Sequence, residues 1–144
     1  MLYLIGIGLS SADLTVGGIE AGKAADELYI EQYTSLWKGS AADLEKAFGK
    51  KPILLKRKDM EEGSAALVEK SKGKNIAILI PGDPLSATTH IELLLECKKQ
   101  SVPYNVFHSV SIFSAIAETG LQLYKFGRTV TVPFTGQLTA VKET

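Results

Sequence analysis

Several kinds of residue are scarce in this sequence, and each scarcity excludes a class of site. The 144 residues include one cysteine, Cys97, and two histidines, His90 and His108. A single cysteine excludes an intrachain disulfide and a cysteine zinc cluster. Neither histidine has a metal-ligand neighbour at a recognised spacing, so no metal ion is expected and both histidines are expected to be structural. Cys97 lies among leucines, without a protease signature, and is expected to pack in the core.

An excess of charge of either sign is absent as well. Lys and Arg total 16, and Asp and Glu total 16, so the formal net charge is zero. This balance provides no general basic footprint for nucleic acid, and the clusters Lys50-Lys51 and Lys56-Arg57-Lys58 are expected to be solvated. No apolar run is long enough for a membrane-spanning helix, and the N-terminus lacks the features of a signal peptide. A cytoplasmic protein with no membrane contact and no direct nucleic-acid binding is therefore predicted.

What the sequence does contain is a series of apolar runs that alternate with helical patterns. Strands are predicted at residues 1–8, 27–30, 52–55, 75–80, 104–107 and 129–132. Helices are predicted from Asp13 or Thr15 to about Asp26 and at residues 40–48, 59–72, 88–100 and 111–118. The alternation predicts an α/β fold, an open, mostly parallel sheet with helices on both faces. The almost continuous apolar run at residues 1–8 is expected to be a central strand, and residues 75–80 form a second such run.

Two loops follow these two apolar runs. Ligands of an open α/β sheet bind beyond the carboxyl ends of the strands, so both loops are candidates for a binding site. In the loop at residues 6–10, Gly6 and Gly8 either admit a ligand close to the backbone or only turn the chain. In the loop at residues 82–90, Asp83 either accepts hydrogen bonds from a ligand or closes an Asx turn, with Thr88 or Thr89 capping the next helix.

Common nucleotide and hydrolase motifs are missing from these loops. Ser11 stands three residues after Gly8, where the dinucleotide-binding fingerprint requires a third glycine, although Glu31 could still act as the ribose-binding acid. No Gly-Lys pair is followed by Ser or Thr, which disfavours nucleotide triphosphate hydrolysis. The nucleophile elbow of the α/β-hydrolases is also missing.

Three segments carry a resemblance to a known family: MLYLIGIGLSSADLT at the start, PGDPLSATTH in the middle, and HSVSIF followed by GLQLYKFGRTVTVPF. Together they resemble the diphthine synthases of the tetrapyrrole methylase superfamily, over essentially all of residues 1–134. The resemblance implies a methyltransferase that uses S-adenosyl-L-methionine. Its expected acceptor is the amino group of the aminocarboxypropyl-modified histidine of elongation factor 2, in diphthamide biosynthesis. The compact loops look more like an archaeal form.

The same resemblance implies which residues bind the cofactor. They are Leu9 in the first loop, Asp83 and Ser86 in the second, and Ser111 and Ile112 after the next strand. All five fall just beyond predicted strand ends, where one crevice could collect them. No catalytic base is assigned, because an α-amino group titrates near ~8 and a neutral fraction exists at cellular pH.

The resemblance also bears on domain organisation. Residues 1–134 are expected to form the domain that binds S-adenosylmethionine, and 135–144 a C-terminal tail. The family's second α/β domain is expected to be absent, and the members are commonly homodimers. Two alternatives stay open: a non-catalytic cofactor-binding or assembly module, and a NAD-binding domain that uses Gly6, Gly8 and Glu31.

Overall fold

A computed structural model describes residues 1–130 of the chain. Its strands are β1 (Leu2–Gly6), β2 (Glu27–Glu31), β3 (Ile53–Leu55), β4 (Ile76–Ile80) and β5 (Tyr104–Phe107). Its α-helices are α1 (Val16–Ala24), α2 (Ala41–Phe48), α3 (Arg57–Glu61), α4 (Ser64–Lys70), α5 (Ile91–Lys99) and α6 (Ile112–Ala115). Short 3-10 helices occupy Ser11–Asp13, Ile116–Thr119 and Leu123–Lys125.

The five strands form one sheet in the order β3-β2-β4-β1-β5, and every pair of neighbouring strands is parallel. β1 lies between β4 and β5, with Leu2 opposite Ile76 on one side and Tyr104 on the other. All five residues of β4 are buried, which explains its continuous apolar sequence. The predicted parallel α/β sheet and the interior position of its first strand are confirmed, and β4 is an interior strand as well.

Helices cover both faces of the sheet, as predicted. On one face α3, α4 and α5 pack on a core that contains Leu2, Leu4, Met60, Val68, Ile76, Ile78, Ile80, Leu93, Leu94 and Cys97. On the other face α1 and α2 cover a core that contains Ile5, Ile7, Leu28, Ile30, Leu44, Phe48, Ala77 and Leu79. Cys97 is fully buried, so its predicted role in the core is confirmed. Among residues 1–130 no helix is long and apolar enough to cross a membrane.

Several predicted boundaries are wrong, and local contacts explain them. The helix predicted at residues 59–72 is two helices, because the chain turns at Gly63, where a Cβ atom would lie 2.5 Å from the carbonyl oxygen of Asp59. The helix predicted at residues 111–118 is α6 followed by a 3-10 helix. The helix predicted from residue 88 begins at Ile91, and neither threonine caps it by its side chain.

The remaining predictions concern chain ends and caps. Thr15 caps α1, since its Oγ1 accepts a hydrogen bond from the backbone N–H of Gly18 at 3.2 Å. Gly49 ends α2 in the left-handed conformation, with φ of 70°, as its position suggested. Of the strand predicted at residues 129–132, the first two residues are not in a strand. Its last two residues and the tail at 135–144 lie outside the described residues.

Candidate functional site

The loops that follow β1 and β4 are joined at the carboxyl edge of the sheet. The backbone N–H of Gly8 donates to the carbonyl oxygen of Gly82 at 3.1 Å, and that of Gly82 donates to Gly8 at 2.8 Å. The pair forms an isolated antiparallel bridge in an otherwise parallel sheet. Both glycines have positive φ, 66° and 77°, which other residues rarely adopt. The two loops identified in the sequence are therefore one structural unit.

Gly6 lets a third loop, the one after β5, join this unit. A Cβ atom on Gly6 would lie 2.8 Å from the carbonyl oxygen of Gly82 and 2.9 Å from Cδ of Pro84. It would also lie 3.0 Å from Cβ of Ser109. Contacts within the chain thus require a glycine at this position. The interpretation of Gly6 as a turn and packing residue is the one that these contacts support.

Asp13 holds the first loop from inside. Its Oδ2 accepts hydrogen bonds from the backbone N–H groups of Leu9 (3.0 Å) and Ser10 (2.9 Å) and from the Ser10 hydroxyl (3.1 Å). On the other side, the backbone N–H of Lys38 donates to the carbonyl oxygen of Leu9 at 2.9 Å. Both backbone groups of Leu9 are therefore occupied, and its half-buried side chain is what it can present to a ligand. The spacing Ser10-x-x-Asp13 is a capping-box signal that could have identified this role of Asp13.

Asp83 ties the second loop to the loop after β5. Its Oδ1 accepts from the backbone N–H of Leu85 at 2.9 Å and from the Ser86 hydroxyl at 3.2 Å. Its Oδ2 accepts from the backbone N–H of Ser109 at 3.2 Å and contacts Nδ1 of His108 at 2.7 Å. Burial opposes ionisation of this carboxyl, but the hydrogen bonds outweigh burial and hold its pKa below the ordinary value. The Asx turn is thus present, and four donors of the chain occupy the carboxylate.

Ser111 and Ile112 lie where α6 begins. The buried Ser111 accepts a hydrogen bond at Oγ from the backbone N–H of Phe113 at 3.1 Å and so caps the helix. Ile112 is 54% exposed. Within residues 1–130 no hydrogen bond joins either residue to Leu9 or Asp83. Of the five predicted cofactor residues, the structure links Asp83 directly to Ser86, and Leu9 joins them through the Gly8–Gly82 bridge.

A second acid and histidine lie deeper at the same edge. Glu31, at the end of β2, accepts hydrogen bonds from the backbone N–H groups of Tyr33 (3.1 Å) and Thr34 (3.2 Å) and from the Thr34 hydroxyl. Nε2 of His90 lies 3.6 Å from Oε1 of Glu31, and both side chains are buried, at 1% and 0% exposure. Burial raises the pKa of Glu31 and lowers that of His90 to about 4. A carboxylate so enclosed does not reach a ribose, which corrects the proposed dinucleotide role of Glu31.

The two histidines, both expected to be structural, have different surroundings. His90 is buried, but neither ring nitrogen has a hydrogen-bond partner. His108 is 65% exposed at its side chain and is held by Asp83. Sequence reasoning missed the link between Asp83 and His108, because 25 residues separate them and no motif spans that interval. Among residues 1–130 no three His, Cys, Asp or Glu residues are grouped closely enough to hold a metal ion.

Comparison with known proteins identifies the family of this chain. The family model of the Tetrapyrrole (Corrin/Porphyrin) Methylases matches residues 1–142. The chain is 46% identical over 136 residues to a diphthine methyl ester synthase of Candida glabrata, covering 93% of this chain and 46% of that protein. It is 42% identical over 134 residues to a diphthine synthase of Archaeoglobus fulgidus, covering 92% and 53%.

Comparison with solved structures leads to the same family. A crystal structure of diphthine synthase superimposes with a TM-score of 0.82 at 42% identity, covering 88% of this chain and 51% of that one. The predicted resemblance to diphthine synthases and the predicted fold are confirmed. The chain spans about half the length of the curated relatives it matches. Since the family model covers nearly every residue, the chain belongs to the tetrapyrrole methylase family.

Proposed function

We propose that this chain forms the cofactor-binding part of a diphthine synthase, a methyltransferase that uses S-adenosylmethionine. The observation that carries the proposal is the joining of the loops after β1, β4 and β5 at one sheet edge, in a chain 42% and 46% identical to proteins named for diphthine synthesis. The proposed substrate is elongation factor 2 that carries the aminocarboxypropyl-modified histidine. A homodimer, a cytoplasmic location and a cofactor domain at residues 1–134 belong to the same proposal.

The residues at this edge fit such a cofactor. A Cβ atom on Gly82 would meet nothing within 4 Å, so the backbone there borders open space. Leu85, in the loop after β4, and Ile112, at the start of α6, are exposed at 38% and 54% and offer apolar surface. A crevice with apolar walls and a few fixed polar groups is typical of cofactor sites. Bound S-adenosylmethionine supplies an electrophilic methyl group on sulfur.

In this proposal the five predicted residues have different tasks. Leu9 and Ile112 contact the cofactor through apolar side chains, since both backbone groups of Leu9 are occupied within the chain. Asp83 fixes the loop that borders the cofactor and keeps Ser86 in place. Ser111 fixes the start of α6, and with it the position of Ile112. Orientation of the acceptor nitrogen towards the methyl carbon is the main catalytic task of such a site.

Isothermal titration with S-adenosylhomocysteine tests the proposal, with NAD as the control ligand and circular dichroism as the check of folding. We expect saturable binding of S-adenosylhomocysteine and no binding of NAD. Binding of NAD alone would replace the methylase proposal with the dinucleotide alternative. A folded chain that binds neither ligand would contradict the proposed cofactor site.

A further inference from the structure

Asp83 and His108 form a pair with the geometry of an oriented base. The carboxylate of Asp83 lies 2.7 Å from Nδ1 of His108 and is almost buried, whereas the imidazole is 65% exposed. A carboxylate can only accept a hydrogen bond, so Nδ1 carries the proton that joins the two groups. In the neutral ring Nε2 then has a free lone pair, on the side of the imidazole that faces away from Asp83.

The carboxylate is rigidly placed, which distinguishes this pair from an ordinary surface contact. Its other acceptor positions are filled by Leu85, Ser86 and Ser109 of the same chain. Because Ser109 directly follows His108, one carboxylate holds both the backbone and the ring at the end of β5. A surface ion pair between long, mobile side chains has no such restraint.

The pair also lies at the proposed cofactor site. Gly6, at the end of β1, packs closely against Ser109, which is the residue after His108. It also packs against the loop that carries Asp83. The acceptor in the proposed reaction is a side chain of a large protein. A group that acts on it must be reachable from solvent, as the exposed ring of His108 is and the buried ring of His90 is not.

We propose that His108, oriented by Asp83, accepts a proton from the acceptor amine of the methyl transfer. This inference rests on the proposed function. The acceptor arrives as an ammonium group, one N–H bond breaks, and the proton moves to Nε2 of His108 while the electron pair stays on the amine nitrogen. That pair forms the bond to the methyl carbon as the bond from carbon to sulfur breaks, with its electrons left on sulfur. The imidazolium, stabilised by Asp83, returns the proton to water.

The protonation of the ring tests the inference without turnover. Nuclear magnetic resonance of the ring nitrogens of the folded chain, saturated with S-adenosylhomocysteine at mildly alkaline pH, is expected to show a protonated Nδ1 and a free Nε2 in His108. Addition of α-aminobutyrate, a soluble probe of the acceptor's amino acid end, is expected to shift the Nε2 resonance. A protonated Nε2, or no shift with the probe, overturns the inference even where S-adenosylhomocysteine binds.

The rate of methyl transfer gives a second test, with His108→Asn as the variant. An α-amino group titrates near ~8, so about one in ten is neutral near pH 7, and loss of the base is expected to slow transfer about tenfold there. The defect is expected to disappear as the pH rises above about 8, where the amine is neutral without help. A loss that does not change with pH, or no loss, overturns the role of His108.

The same variant separates the two proposals. His108→Asn is expected to bind S-adenosylhomocysteine as the unaltered chain does, because the exposed ring is assigned to the acceptor and not to the cofactor. If the unaltered folded chain does not bind S-adenosylhomocysteine, the proposed function fails and the inference fails with it. If it binds and the ring behaves otherwise than stated, only the inference fails.

Discussion

Two acid and histidine pairs lie at the same edge of the sheet, and their surroundings give them opposite properties. Asp83 and His108 are 2.7 Å apart, and the histidine is exposed. Glu31 and His90 are 3.6 Å apart, and both are buried. Hydrogen bonds hold the pKa of Asp83 below its ordinary value, whereas burial raises that of Glu31. The first carboxyl therefore ionises more readily than usual, and the second, because it is buried, less readily.

The comparison shows that residue type alone does not identify a functional histidine. Each histidine lies at the carboxyl edge of the sheet with a carboxyl group beside it, so both would pass a simple search for acid and base partners. Solvent access and the completeness of the carboxylate's hydrogen bonds separate them. We therefore expect the buried pair to control stability and the exposed pair to control the proposed chemistry.

The largest expected effect is that of Glu31→Ala. The change leaves the buried N–H groups of Tyr33 and Thr34 without an acceptor and opens a void, so we expect a loss of about 4 kcal/mol in the free energy of unfolding. Glu31→Gln, the matched control, keeps one oxygen for those donors and is expected to cost about 1 kcal/mol. Urea unfolding at neutral pH measures both. Equal losses in the two variants would contradict the account of Glu31 as a buried hydrogen-bond acceptor.

The next effect is the pH dependence caused by His90. Its pKa of about 4 in the fold lies below the ordinary 6.5, so the unfolded chain takes up this proton first as the pH falls. The contribution of His90 to stability is complete above pH 6.5 and is lost towards pH 4, by about 3 kcal/mol at most. In His90→Leu this loss is expected to disappear.

Glu31 changes the free energy of unfolding in the opposite direction to His90 as the pH falls. Its raised pKa means that the folded chain takes up the carboxyl proton before the unfolded chain does, which stabilises the fold as the pH falls. Both the unaltered chain and His90→Leu retain Glu31, so the difference between their unfolding free energies isolates His90. Identical pH profiles would contradict the buried, neutral state of this imidazole.

A smaller effect is expected for Asp83→Asn. The amide retains an oxygen for Leu85 but places an NH₂ group against the backbone N–H of Ser109 and against Nδ1 of His108, so we expect a loss of about 2 kcal/mol in unfolding free energy. The His108 ring should also lose its fixed orientation, which the ring-nitrogen resonances would report. A fully stable variant with an unchanged ring would show that Asp83 does not hold this loop.

The smallest effect on stability is expected for His108→Asn. The ring is 65% exposed and contacts the fold through Asp83, so the free energy of unfolding should change by less than about 0.5 kcal/mol. Thermal unfolding followed by circular dichroism measures this. A larger loss would place His108 with His90 among the structural residues.

The central elements of the fold are predictable from the sequence because their signal is local. The apolar runs at residues 1–8 and 75–80 correspond to β1 and β4, the strands whose faces are both covered. The break at Gly63 has a local signal, the glycine itself, but the helix-forming residues on both sides of it favour one continuous helix. It depends on the close approach of the chain to the carbonyl oxygen of Asp59.

The candidate site is predictable in position and less so in contacts. The loops after the central strands follow from the rule on strand ends, and the Asx turn of Asp83 follows from its neighbours. The bond from Asp83 to His108 and the approach of His90 to Glu31 join distant parts of the chain. Such contacts arise from the parallel topology, which brings the ends of β2, β4 and β5 to one edge.

The most direct test of the proposed site compares two glycines that have the same conformation. Gly82 and Gly49 both have positive φ, 77° and 70°, and a Cβ atom on either would meet nothing within 4 Å. Gly82 borders the proposed cofactor site, whereas Gly49 ends α2, away from the joined loops. Alanine at either position is expected to cost about 1 kcal/mol of stability from backbone strain.

Isothermal titration of the two variants with S-adenosylhomocysteine then tests whether the cofactor binds next to Gly82. We expect Gly82→Ala to weaken binding about tenfold or more, because the new methyl group enters the space assigned to the cofactor. Gly49→Ala is expected to bind as the unaltered chain does. Equal affinities in the two variants would contradict a cofactor site at the edge formed by β1, β4 and β5.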